Sequence, residues 1–196
     1  MGRFSRDDFQ LVLLRRMADH HPELVDDALR ALGASHADLR EAHKRWQARL
    51  RSRTHPGGAQ RYRIALGPPE QQVERRVGDL VCTALLWPLP LWPDLRYEVL
   101  CAPGGSAVWN EWLVRAPGAA PPPLRSVADL TPWSCVVEDV VRAFPPTEPL
   151  PPDAPSRARL ALTAPDSGER SSGERSSGGR LVAHFTWGLL QYVAER

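Results

Sequence analysis

The stretch from Val73 to Arg115 constrains this chain most, because it concentrates large apolar side chains that some other part of the fold must cover. It holds Trp87, Trp92, Trp109 and Trp112, four of the seven tryptophans, together with Cys82 and Cys101. Apolar residues at 73, 77, 80, 81, 84 and 85 have helical spacing, which predicts a helix from about Pro69 to Trp87. Prolines at 88, 90 and 93 deny the next residues a hydrogen-bonded ladder, so 88–93 should be an extended or turning loop. Arg96–Cys101 and Ala107–Arg115 read as strands joined by the short loop Ala102-Pro-Gly-Gly-Ser106.

The flanks look built to cover this block. Residues 5–53 read as three helices. Ser5 is placed to cap the first, with Asp7 and Asp8 in its opening turn and Phe9, Leu13 and Met17 as its stripe. Pro22 suits the start of the second, which carries Leu24, Val25, Ala28, Leu29 and Leu32 and ends at Gly33. Ser35 can cap the third, with Leu39, Ala42, Trp46 and Leu50 on one side and Arg40, Lys44, Arg45, Arg49, Arg51 and Arg53 on the other. A domain boundary is expected at the turn Thr54–Ala59, which separates a bundle (1–55) from a second domain (60–196).

Within 60–196, Arg61–Leu66 alternates polar and apolar residues and reads as a strand. The Pro-rich runs 116–123 and 145–155 read as spacers, and Pro132 opens a helix with apolar positions 133, 136, 137, 140, 141 and 144 that Pro145-Pro146 stops. Arg157–Ala164 is a further strand, and 166–179, with its tandem Ser-Gly-Glu-Arg-Ser, is expected to be a disordered loop. Leu181–Val193 returns as a strand that turns helical near Gly188. The expected fold is α+β: an N-terminal three-helix bundle of helix-turn-helix type, then a small, mainly antiparallel sheet packed by two helices.

Asp27-Ala-Leu-Arg-Ala-Leu-Gly-Ala-Ser-His-Ala-Asp-Leu-Arg-Glu41 resembles the helix-turn-helix of bacterial repressors. The resemblance implies that His36, Ala37 and Arg40 would face the major groove, with Lys44, Arg45 and Arg49 near phosphates. Asp38 and Glu41 among those positions oppose it, and 11 Arg or Lys against 8 Asp or Glu in residues 1–55 is a modest excess. Asp19-His-His-Pro-Glu23 is similar to the paired-histidine signature of pterin carbinolamine dehydratases, where a strand follows. The helical spacing of Leu24–Leu32 removes that likeness as a guide to function.

The net charge of +2 does not by itself require a polyanion, and arginine surplus with a single lysine reads as a bias toward GC-rich codons. Three cysteines lack metal-ligand or disulfide spacing and read as reduced thiols of a cytoplasmic, soluble protein that does not engage a membrane. Cys135, expected in the first turn of its helix, and His184 are the nearest to a nucleophilic pair, and the bland reading of Cys135 as core outweighs it. No catalytic residue, cofactor or metal is expected.

The leading expectation is a non-enzymatic regulatory or accessory protein. Its bundle would engage a protein partner, or DNA, through His36, Arg40, Lys44, Arg45 and Arg49. A second copy of the chain is a further candidate partner. Trp87, Trp92, Trp109 and Trp112 are the candidate pocket or interface, and since Trp109 and Trp112 are three apart on a strand they should face opposite sides. The competing expectation is a small enzyme or ligand-binding domain built on region 73–115.

Overall fold

A computed structural model of the chain describes residues 4–105, 107–163 and 179–195. Its described residues form two compact units, Met1–Ala116 and Pro117–Arg196. Both are mixed α+β, and each follows one plan: helix first, then a four-stranded antiparallel meander. The expected single sheet is therefore two sheets. Most of the long loop predicted at 166–179 lies outside the described residues.

In the first unit, helices α1 (Arg6–Met17), α2 (Pro22–Ala31) and α3 (His36–Arg51) form where their caps predict. Ser5 and Asp8 form a reciprocal capping box, with Ser5 N–H donating to Asp8 Oδ2 at 2.8 Å and Asp8 N–H to Ser5 Oγ at 3.2 Å. Ser35 and Asp38 repeat it at the start of α3. Gly33 takes the left-handed conformation (φ 62°) that ends α2.

The spacing understates how α1 is used. Phe9 through Leu14 are all buried, so the middle of α1 is covered on every side, as expected of a helix packed from two directions. Phe9 shows both neighbours, with its ring 5.2 Å from Trp46 of α3 and 4.8 Å from Tyr97 of the sheet. α1 thus lies between α3 and the first sheet. Leu50, assigned to the core stripe of α3, is exposed.

Arg61–Leu66 is not a strand. It lies in a short helix, α4 (Gln60–Leu66), that buries Tyr62, Ala65 and Leu66. Positions 62, 65 and 66 satisfy helical spacing as well as alternation does, and the packing of Tyr62 between Phe9, Trp46 and Trp87 selects the helix. The helix predicted over 69–87 is likewise replaced, by strands β1 (Gln71–Val77) and β2 (Leu80–Leu89). They meet in a two-residue turn, Gly78-Asp79, between the paired Val77 and Leu80, with Gly78 at φ 59°. Residues Ala84 to Trp87 are buried in succession, which makes a strand covered on both faces look like a helix segment in the sequence.

β3 (Trp92–Cys101) and β4 (Val108–Arg115) complete the sheet in the order β1-β2-β3-β4. The residues 88–93, expected to be loop throughout, contain only a tight turn at Pro90-Leu91. That turn is tied to the helical layer by the fully buried Gln10, whose Oε1 accepts the Leu91 N–H at 2.8 Å.

The second unit contains a 3-10 turn (Val127–Asp129), helix α5 (Val137–Ala143) and strands β5 (Thr147–Leu150), β6 (Arg157–Thr163), β7 (Arg180–Thr186) and β8 (Leu189–Glu195). α5 is shorter than the helix predicted from Pro132, because 133–136 instead bonds along β8. Trp133 N–H donates to Leu190 O, and Leu190 N–H to Cys135 O. The spacer expected at 145–155 contributes β5, which begins just after a cis peptide bond between Pro145 and Pro146. The last segment does not turn helical near Gly188. It is a hairpin whose turn residues, Trp187 (φ 52°) and Gly188 (φ 78°), are both left-handed. Leu130, Cys135, Val140, Phe144, Leu160, Leu162, Ala183, Phe185 and Leu190 form this unit's core.

Candidate binding surface

Trp87 is fully buried and fixed by its indole N–H, which donates to Gly67 O at 2.9 Å. Gly67 makes the sharp join between α4 and β1 at φ 82°, ψ −165°, a conformation that only glycine adopts readily. Trp92 is also buried. Neither ring can serve as an exposed contact. Trp112 is half-buried and lies across the ladder from Glu98, whose buried carboxylate accepts two hydrogen bonds from Arg75 at 3.0 and 3.1 Å.

Trp109 differs from them. A register shift between Leu100 and Cys101 makes it the extra residue of the edge strand β4, and 48% of it is exposed. It lies at the end of the sheet where β3 turns into β4. The β1–β2 hairpin projects at that same end, since Thr83 pairs with Cys101 and three residues of β2 run on beyond it. Those residues and their partners expose Val77 (44%), Leu80 (49%) and Val81 (49%), with Arg75 and Arg76 beside them. Three aliphatic residues and one tryptophan therefore stand in solvent at one end of one sheet. Exposed apolar residues grouped in one place mark candidate interaction sites.

The sequence reading missed the aliphatic members because it laid 69–87 on a helix. The dipeptide Gly78-Asp79 between Val77 and Leu80 was the available signal for a hairpin.

The basic side of α3 is more occupied than its sequence suggests. His36 Nε2 lies 2.8 Å from Asp26 Oδ1. Arg45 pairs with Asp8 at 3.0 Å and stands over the Phe4 ring at 5.3 Å. Arg49 covers the same ring at 4.9 Å and contacts His55 Nε2 at 3.2 Å. Burial, and then the nearby Arg45 charge, depress the proton affinity of Arg49. Phe4 is held beneath these two guanidiniums and against Trp46 at 5.5 Å. Arg40 and Lys44 remain exposed.

Cys82, Cys101 and Cys135 are buried, and none is part of a disulfide. Burial raises the pKa of the Cys101 thiol, against a smaller opposing effect of Arg63, so this sulfur stays protonated. Cys135 precedes α5 rather than lying in its first turn, where Glu138 and Asp139 stand instead. The Asp139 carboxylate caps the helix by accepting from Val136 N–H at 3.1 Å. Among the described residues no three His, Cys, Asp or Glu side chains are grouped to hold a metal, and no helix is long and apolar enough to cross a membrane.

No family model matches the chain, and no curated protein matches it. Among solved structures it is similar to a "putative beta-lactamase inhibitor protein" from Streptococcus mutans, with 10% identity, 74% of this chain and 86% of that one covered, and a TM-score of 0.28. That likeness is too slight to bear on fold or function.

Proposed function

We propose that this is a non-enzymatic binding protein whose partner is another protein, seated on the end of the first sheet that carries Val77, Leu80, Val81 and Trp109. The exposure of these four residues together carries the reading. Burial of apolar surface drives protein association, and tryptophan is enriched among the hot-spot residues of protein interfaces. Arg76 and Asp79 are both exposed beside the anchors and Arg75 is bound to Glu98, so the rim carries no dominant charge and the apolar centre sets the partner surface.

The alternative of contact through α3 has less in its favour. Of the five residues that reading relies on, His36, Arg45 and Arg49 already have contacts within the first unit.

The test compares capture from the native host by the wild-type chain and by Leu80→Asp and Trp109→Ala, after circular dichroism shows that the variants are folded. Proteins captured by the wild type and lost by at least about tenfold with both variants support the reading, the loss expected of an interface hot spot. Equal capture by all three chains sinks it. Capture that instead falls with Arg40→Ala plus Lys44→Ala, or with added salt alone, moves the contact to α3.

A further inference from the structure

Beside the proposed docking end, the first unit contains an open cavity of about 410 Å³. It lies between the loop before α4 and the β3–β4 turn. Gly57 and Gly58 form one rim, and Gly104 and Gly105 form the other. Leu85 and Cys101 give it a buried apolar floor. The side chains that can speak to a ligand are Gln60, Arg63, Gln72 and Thr83. Its volume falls within the range of pockets for small metabolites, roughly 300–1,000 Å³.

The charge of this lining is one-sided. Among the described lining residues Arg63 is the one ionic side chain, and no carboxylate stands with it. The Arg61 guanidinium reaches to 3.9 Å from where a side chain on Gly57 would begin, and Glu74, across the ladder from Thr83, lies beside the lining without being part of it. The charge of Arg63 acts on the Cys101 thiol at the cavity floor, opposing the effect of burial there. Among the described residues no carboxylate pairs with the half-buried Arg63, which leaves its fork of donors available to an anion.

We infer that this cavity is a binding site for a small anionic metabolite, a phosphate monoester or carboxylate that also carries hydroxyl groups. Arg63 takes the anion through its planar fork of donors. The amides of Gln60 and Gln72 and the hydroxyl of Thr83 serve the hydroxyls, each able to donate and to accept. The glycine rims have a different purpose from clearance. A side chain on Gly104 or Gly105 would touch nothing within 4 Å, yet both are left-handed, at φ 79° and 73°. Glycine is needed there to turn the backbone tightly around the mouth. This site is separate from the protein-docking residues and does not rest on them.

The test titrates the full chain, at low ionic strength, with glycerol 3-phosphate and with malate, and uses glycerol as the uncharged control. Amide resonances of Gly57, Gly58, Gly104 and Gly105 report on the mouth. Saturable shifts confined to the lining residues with one or both anions, and none with glycerol, are expected. Arg63→Gln should weaken that binding by about tenfold or more, as loss of a charged hydrogen bond does. Arg40→Gln, which removes an equal charge elsewhere, should not change it. If Arg63→Gln lowers the melting temperature, Arg63→Lys and Thr83→Val replace it, each expected to weaken binding several-fold. Absence of saturation by both anions up to about 10 mM, shifts scattered over the surface, or equal losses from the Arg63 and Arg40 variants each overturn the assignment. Loss of partner capture by Leu80→Asp with anion binding intact would leave it standing.

Discussion

Glu111 has surroundings that do not suit a charged carboxylate. It lies on β4 across from the buried Val99, and its Oε2 has no hydrogen-bond partner. Burial pushes its carboxyl up to about 7 from an ordinary 4.5, against the opposing pull of the Arg61 charge. The folded chain therefore keeps this proton to a higher pH than the unfolded chain does. The group's contribution to stability is complete below about pH 4.5 and is lost as pH rises through 7. Glu111→Gln, which keeps the shape without the charge, should be more stable than wild type by about 1–3 kcal/mol at pH 8, with the advantage gone near pH 4.5. Urea titrations at the two pH values check this, and an equal effect at both would show that the carboxyl is not the cause. Gly67 offers a second single-residue test. A methyl group there would meet no atom within 4 Å, so Gly67→Ala isolates the backbone cost of φ 82° and should destabilise by about 1–3 kcal/mol.

At the scale of elements, the tie between α1 and the β2–β3 turn depends on one buried side chain. Gln10→Ala strips the Leu91 N–H of its acceptor inside the protein and should cost about 1–3 kcal/mol in thermal unfolding. A change below about 0.5 kcal/mol would mean that water replaces the amide. The elements also divide cleanly by what their sequences disclose. α1, α2 and α3 could be read because Ser5, Pro22, Gly33 and Ser35 act locally, through capping atoms within four residues. The β1–β2 hairpin had a local signal in Gly78-Asp79, which the helical spacing outweighed, whereas the apolar positions of α4 fit two periods and only distant contacts choose between them. For Tyr62 these are Phe9 and Trp87. β5 was hidden by its prolines. It lies at a sheet edge, where one side of the strand needs no ladder, and Pro149 is tolerated there. The candidate site was legible in one member. Trp109 could be placed on a strand, but the aliphatic residues that join it depended on recognising a hairpin that the helical spacing concealed.

Across the whole molecule, two sheets of the same meander order imply the same gradient of protection in each. The central pairs β2–β3 and β6–β7 are bonded on both sides, while β1 is an edge strand with nearly every residue exposed. Amide exchange should be slowest in the central strands and fastest in β1, where opening needs no disruption of the core. Protection in β1 equal to that in β2 would indicate that another strand covers this edge in solution. Added partner should then slow exchange at Val77, Leu80 and Val81 and leave the central strands unaltered.

The isolation of Trp109 also equips the protein with its own optical reporter. Trp46, Trp87 and Trp92 are buried and Trp112, Trp133 and Trp187 are partly covered, which leaves Trp109 as the most exposed of the seven indoles. Iodide, which reaches only indoles open to water, should quench a red-emitting minority of the fluorescence and spare the rest. Trp109→Phe should abolish most of that quenchable fraction. A bound partner would shield it too, so docking could be followed without attaching a label.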